Sequence, residues 1–264
     1  MRIFHFRQGR LVILIIALVI IVIGVYLNRA YAHIYNTIGR VDLQSSDVSG
    51  HYLLNPAAAG SAGRTASASP LVYSALGDSL TAGVGTRNYR QSYPYLLAQD
   101  LVSADGRSVR LYDRGIPGER SDGLIKNLLS KTIQDKPNVV TLFIGINDIH
   151  GLISSATFKR NYETILKTLR AQTAAKIYVI NLPYLGSPSL IKFPYNYILD
   201  WRTQEFNRII KEAAVWYQVN YIDLYTPTLK LFKNSGALYA ADSFHASPAG
   251  YALLANIIYA SIHK

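Results

Sequence analysis

The chain has 264 residues, half of them hydrophobic and 16% charged, with 20 Tyr and 18 Gly; that composition supplies a packed core and excludes wholesale disorder. It contains no cysteine, which removes disulfide scaffolds, thiol nucleophiles, thiolate zinc sites and iron–sulfur clusters together. The net charge of +11 does not mark a nucleic-acid binder: residues 1–40 hold Arg2, Arg7, Arg10, Arg29 and Arg40 and no acid, and beyond them 22 basic and 16 acidic residues interleave without long basic runs. An anionic lipid or wall-polymer surface stays compatible with such a charge.

From Leu11 to Leu27 the chain reads LVILIIALVIIVIGVYL, with no charge, after Arg2, Arg7 and Arg10. As a helix this run spans about 25 Å at 1.5 Å per residue, close to the hydrocarbon thickness of a bilayer. It is apolar on every face, unlike a core helix with one buried stripe. The positive flank predicts a cytoplasmic N-terminus, with everything after Asn28 outside. Ala30-Tyr31-Ala32 offers a site for signal-peptide cleavage before His33, which would make the protein secreted, but the run exceeds the usual signal-peptide core and favours a retained anchor. Residues 1–32 are thus read as basic tip and membrane anchor. Residues 33–69 are read as an extracytoplasmic stalk: a short helix at 33–43, then at 57–69 the tract AAAGSAGRTASAS, eleven of whose thirteen residues are Ala, Gly or Ser and which has nothing to bury.

From Pro70 to Lys264 apolar runs of strand length alternate with helical patterns. Leu71–Leu76, Val109–Tyr112, Val139–Ile144, Ile177–Ile180 and Tyr221–Leu224 read as five buried strands. Tyr93–Val102, Ser121–Thr132, Ala156–Ala171 and Leu199–Gln218 read as helices, and a last helix runs through Tyr259 after Ser247 as N-cap and Pro248 as first residue. This alternation predicts one α/β domain with a parallel sheet, helices on both faces and functional loops at the C-terminal strand ends.

The loops after the first three strands, and the segment before the last helix, carry the chemistry. They are Gly77-Asp78-Ser79-Leu80, Asp113-Arg114-Gly115-Ile116-Pro117-Gly118, Gly145-Ile146-Asn147-Asp148 and Asp242-Ser243-Phe244-His245. A serine hydroxyl is a poor nucleophile until a base takes its proton. His245 is suited to that task, and Asp242, three residues earlier, to orienting the imidazole and stabilising its charged form. The tetrahedral intermediate of acyl transfer needs donors aimed at its oxyanion, for which the backbone N–H of Ser79, that of Gly115 and the side-chain amide of Asn147 form a candidate set.

These blocks resemble the GDSL or SGNH hydrolases. Gly77-Asp78-Ser79-Leu80 looks like the first block of that family, Gly115 its second, Gly145-x-Asn147-Asp148 its third and Asp242-x-x-His245 its fifth, in order over essentially all of 70–264. The resemblance implies a three-layer α/β/α fold of flavodoxin-like type. It also implies Ser79, Gly115, Asn147 and His245 as the four name-giving positions, with Asp242 completing a triad. Asp113 stands where Asn is common and Ala246 where proline is usual, departures that touch loop geometry and substrate rather than a reacting group.

The expected function is therefore a membrane-tethered, extracytoplasmic serine esterase acting through an acyl-enzyme. Its substrate would be a lipid, a short acyl ester or an acetylated glycan. A non-catalytic module binding a cell-surface polymer and an acyltransferase to a glycan acceptor are the alternatives. Asp78 and Asp148 read as structural, and His150 as an exposed loop histidine. No histidine pair has metal spacing, and no phosphate-binding glycine motif is present, so neither metal nor cofactor is expected.

Overall fold

A computed structural model describes residues 2–38, 50–56, 69–187 and 189–263. The chain divides into two compact units, Met1–Val41 and Asp42–Lys264. The first is one helix, α1 (Arg2–Ile38). Its stretch Arg10–Ile34, 25 residues that include an 18-residue window of mean hydropathy 3.1, is long and apolar enough to cross a membrane. Leu11, Ile13, Leu14, Leu18 and Ile20 are all exposed, so the apolar surface runs around the helix rather than along one stripe. The helix expected at 33–43 is the end of α1 as far as Ile38; residues 39–49 lie outside the described residues.

The second unit is built on six strands: β1 (His51–Leu54), β2 (Leu71–Gly77), β3 (Val109–Gly115), β4 (Val139–Phe143), β5 (Lys176–Ile180) and β6 (Asn220–Ile222), in the order β1-β3-β2-β4-β5-β6. β2 to β6 are parallel, as expected, and β1 is antiparallel to β3, with His51 opposite Tyr112 and Leu54 opposite Val109. The five-stranded, all-parallel sheet is thus corrected to six strands and mixed. Residues 51–54, read as stalk, instead pair with what would otherwise be an open sheet edge. Among them Leu54 alone is buried, so the segment lacks the apolar run that marks the other strands. Residues 57–68 of the Ala/Gly/Ser tract lie outside the described residues.

The helices of this unit are α2 (Ser79–Ala82), α3 (Tyr93–Asp105), α4 (Ser121–Asn127), α5 (Leu129–Gln134), α6 (Ile146–His150), α7 (Ser155–Gln172), α8 (Tyr195–Trp216), α9 (Tyr225–Asn234) and α10 (Pro248–Ile262). The single helix expected at 121–132 breaks at Leu128 into α4 and α5. α10 begins where the sequence places it, with Ser247 accepting the Gly250 N–H at 3.2 Å and Pro248 at its first position. Its buried residues Tyr251, Leu254, Ala255 and Ile258 form one stripe. Burying each of the larger ones contributes about 1.5–3 kcal/mol, and α10 packs against α3.

Strand order places the site. The step from β2 to β3 goes one way along the sheet and the later steps go the other, so right-handed crossovers put α3 on one face and α4, α5, α7 and α8 on the other. The direction reverses at β2, and the loops leaving β2 and β4 part there to open a crevice at their C-terminal ends.

Candidate active site

β2 ends at Gly77, where a Cβ would strike the Thr81 side chain and the carbonyl oxygen of Phe143 in β4. Only glycine lets α2 fold back so tightly against the sheet. Asp78 caps that turn, its Oδ1 accepting the Leu80 N–H at 3.0 Å, and Ser79 becomes the first residue of α2, only 9% exposed. Asp78 is therefore structural, as expected. Burial pushes its carboxyl up to about 7, with Asp148 and Glu119 adding repulsion against the hydrogen bond from Leu80.

The facing segment lies between β6 and α10. Ala240 N–H donates to the His245 carbonyl at 2.8 Å and Ser247 N–H to that of Leu238 at 2.9 Å, which closes a compact loop on Ser243 with φ at +57°. Within it Asp242 Oδ1 accepts the N–H groups of Phe244 and His245, both at 3.0 Å. Asp242 Oδ2 lies 2.5 Å from His245 Nδ1, and His245 Nε2 lies 3.0 Å from Ser79 Oγ. Burial alone would raise the Asp242 carboxyl, but the bonds from His245 and the two amides outweigh it and hold the group below the ordinary carboxylate range. Asp242 is thus a charged acceptor that fixes the ring with Nε2 turned toward the hydroxyl.

Asn147 sits on α6, where its Nδ2 donates to the Glu119 carbonyl at 3.0 Å and so joins the loop after β4 to the loop after β3. Asp148 accepts from Ser121 N–H at 2.9 Å and Ser121 Oγ at 2.5 Å. It thereby supplies the cap that Arg120, at the N-terminus of α4, does not. A cavity of about 20 Å³ lies against Ser79, lined among others by Leu80, Ile146, Tyr184, Phe232, Tyr239 and Phe244. Among the described residues no group of three His, Asp or Glu side chains could hold a metal ion.

A sequence profile of the GDSL-like lipase/acylhydrolase family matches residues 75–253. The chain belongs to this family. It is similar to a GDSL-like esterase of Mycobacterium tuberculosis, 24% identical over 190 residues that make up 70% of this chain and 60% of that protein. Among solved structures it resembles a lipase/acylhydrolase from Enterococcus faecalis, with 25% identity, a TM-score of 0.58, and coverage of 73% of this chain and 95% of that one. It also shares its fold with Axe2, an acetylxylan esterase from Geobacillus stearothermophilus, at 19% identity and a TM-score of 0.62, covering 74% and 94%. Family membership places the chain among the carboxylic ester hydrolases.

Ser79, His245 and Asp242 come together as this GDSL chain's sequence suggests, and Ile146, next to Asn147, lines the same cavity. Gly115 behaves differently. Its N–H donates to Asp113 Oδ1 at 2.7 Å, the local bond by which a buried aspartate meets its need for a donor, and its missing Cβ makes room for the Ala82 backbone. The amide expected to face an oxyanion is thus already engaged. Three residues on, Pro117-Gly118 forms a turn closed by Glu119 N–H to the Ile116 carbonyl at 3.0 Å, with Gly118 at φ +80° and open space around it. Among the described residues the Gly118 N–H has no acceptor, and Gly118 precedes Glu119, whose carbonyl holds Asn147. The signal for it was the Pro-Gly pair, which demands a turn with a positive φ at glycine.

His150 is also corrected. It closes α6 with its Nε2 buried and without a hydrogen-bond partner among the described residues, its ring 5.3 Å from that of Phe244. Burial, helped by repulsion from His245, lowers it to about 4. A histidine held neutral in the fold and free to protonate when unfolded withdraws stability as pH falls from about 6.5 toward 4. Substituting it should make the protein relatively more resistant to acid. Between pH 7 and 4.5 the unfolding free energy of His150→Leu, measured in urea, should gain about 2 kcal/mol on that of the parent; a difference that does not move with pH would contradict a buried neutral imidazole.

Proposed function

We propose that the protein is a serine esterase that cleaves short acyl esters through an acyl-enzyme, held at a membrane by α1 with its hydrolase domain on the extracytoplasmic side. The observation that carries this reading is the relay from Asp242 Oδ2 to His245 Nδ1 at 2.5 Å and from His245 Nε2 to Ser79 Oγ at 3.0 Å. In the first half-reaction Ser79 Oγ attacks the ester carbonyl while His245 Nε2 takes its proton. Collapse of the intermediate breaks the bond to the alcohol, which leaves with that proton. In the second half-reaction a water gives its proton to His245 as it attacks the acyl-enzyme, and collapse of that intermediate breaks the bond to Ser79 Oγ, which takes the proton back from His245 as the acid leaves.

The oxyanion of either intermediate would be met by Ser79 N–H, by the hydrogen of Asn147 Nδ2 not used on Glu119, and by Gly118 N–H in place of the engaged Gly115 amide. Each such donor is worth roughly 10²- to 10³-fold in rate. The cavity beside Ser79 is small and walled by side chains such as Leu80, Ile146 and Phe244, which favours short acyl groups over long chains. Membrane attachment is supported by the length and composition of Arg10–Ile34, and the orientation by Arg2, Arg7 and Arg10 on its N-terminal side.

The test is hydrolysis of nitrophenyl esters from acetyl to decanoyl by the full chain in detergent. The rate constant kcat/KM should fall as the acyl group lengthens, and Ser79→Ala should lose turnover with an unchanged circular dichroism spectrum. Comparable turnover by Ser79→Ala would rule the mechanism out.

A further inference from the structure

Large apolar side chains gather at one place on the surface of the second unit. Tyr197, Ile198 and Trp201 stand on one face of the first two turns of α8, and Phe193 precedes them, its ring 6.1 Å from that of Tyr197. Arg202 Nη2 donates to the Ile153 carbonyl at 2.5 Å, which ties the segment after α6 to the same turns and brings Leu152 to them. All five are exposed, Leu152 by 80% and Trp201 by 63%. Leu152 also holds φ at +55°, a left-handed backbone that glycine or asparagine adopts at lower cost. Neither burial nor backbone conformation explains a leucine there. Exposed apolar side chains grouped in this way mark a surface that meets something else.

The course of the chain points to the partner. The loop that leaves β5 gives Pro183, Tyr184 and Leu185 to the cavity against Ser79 before it reaches Phe193 and α8, so the patch lies on the rim of the crevice. The polypeptide coming from α1 enters at the same edge of the sheet. Gly50 carbonyl accepts the Asp113 N–H at 3.0 Å and His51 lies opposite Tyr112, near the end of β3, whose last residue Gly115 pairs with Gly77. Only residues 39–49 separate Ile38, the end of α1, from Gly50. Fully extended, that stretch reaches about 40 Å, so the surface of a bilayer that holds α1 is within reach of this edge. Val215 and Trp216, the other exposed apolar pair of α8, stand at its far end, about 22 Å along the helix from Trp201. Tryptophan and tyrosine settle at membrane–water interfaces with aliphatic neighbours below the headgroups, and Lys192, exposed beside Phe193, suits lipid phosphates. We propose that Leu152, Phe193, Tyr197, Ile198 and Trp201 dock on the bilayer surface, which turns the crevice of Ser79 toward the lipid headgroups. This assignment rests on the reading of α1 as a membrane anchor.

Trp201 and Trp216 are the only tryptophans of the chain, so fluorescence reads the two ends of α8 separately. The full chain is reconstituted into vesicles of phosphatidylcholine and phosphatidylglycerol, the phosphatidylcholine either plain or brominated in its acyl chains. In Trp216→Phe the emission of Trp201 should be about 2-fold weaker in brominated than in plain vesicles, and adding Phe193→Ser and Tyr197→Ser should remove most of that difference. In Trp201→Phe the emission of Trp216 should be equal in the two. Unquenched Trp201, equal quenching of both tryptophans, or quenching that the two serines leave intact would overturn the docking. So would a Trp201 emission shifted to the blue yet equal in both lipids, the mark of a second protein copy on the patch. A chain that does not float with the vesicles in a density gradient would overturn the anchor reading itself and is distinct from these outcomes.

Discussion

Asp242→Asn should reduce kcat by about 10³- to 10⁴-fold while leaving KM little changed. The carboxylate accepts from Nδ1 at 2.5 Å and from two backbone amides at 3.0 Å. An asparagine can keep its oxygen on the amides, but its NH₂ then meets Nδ1 as a donor. The imidazole answers by carrying its proton on Nε2, the nitrogen 3.0 Å from Ser79 Oγ, and a protonated nitrogen cannot take the serine proton. Substrate contacts are untouched, so the loss belongs in kcat. Steady-state kinetics on nitrophenyl acetate decide the matter: a change confined to KM would mean that Asp242 shapes the binding surface instead of orienting the base.

Gly115→Ala should destabilise the fold by on the order of 3 kcal/mol or more, measured as a shift of the urea midpoint. The new methyl would overlap the backbone nitrogen of Ala82 and come within 2.8 Å of Ala82 Cα and the Thr81 carbonyl carbon. Main chain cannot step aside as a flexible side chain can, and α2 carries Ser79 on its other end. Gly118→Ala is the matched control. Its Cβ would meet nothing within 4 Å, so only the positive φ opposes it, at about 1–2 kcal/mol. If the two variants unfold at the same urea concentration, Gly115 is not the packing glycine that this geometry implies.

Much of the fold is legible in the sequence because its signals are local. The buried parallel strands are short runs of Val, Ile, Leu and Tyr, since both faces are covered by helices, and α10 announces itself by Ser247-Pro248. The elements that escape lack such signals. β1 is four residues with only Leu54 buried, and its strand character comes from the edge of β3 rather than from its own pattern. α6 is a single turn held in place by tertiary bonds such as Asp148 to Ser121. The break at Leu128 carries neither glycine nor proline to mark it.

The candidate site divides in the same way. Ser79, Asp242 and His245 are readable because the chemistry requires their side chains, and the Asp-x-x-His spacing lets one short loop present base and orienter together. An oxyanion donor drawn from the backbone has no residue type of its own. Gly115 and Gly118 look alike in sequence, and only the bond from Gly115 N–H to Asp113 and the crowding by Ala82 tell them apart. His150 reads as exposed in the sequence because the cover over an α6 side chain comes from Phe244, a residue nearly a hundred positions away.

The most direct measurement is covalent trapping of the nucleophile. The full chain in detergent, treated with diethyl 4-nitrophenyl phosphate, should release one equivalent of nitrophenol and carry one diethylphosphoryl group, which peptide mass spectrometry should locate on Ser79. The same treatment of His245→Ala should leave the serine unlabelled, because its hydroxyl has lost the base that activates it. Labelling at another residue, or equal labelling with and without His245, would contradict a nucleophile at Ser79 activated by this histidine.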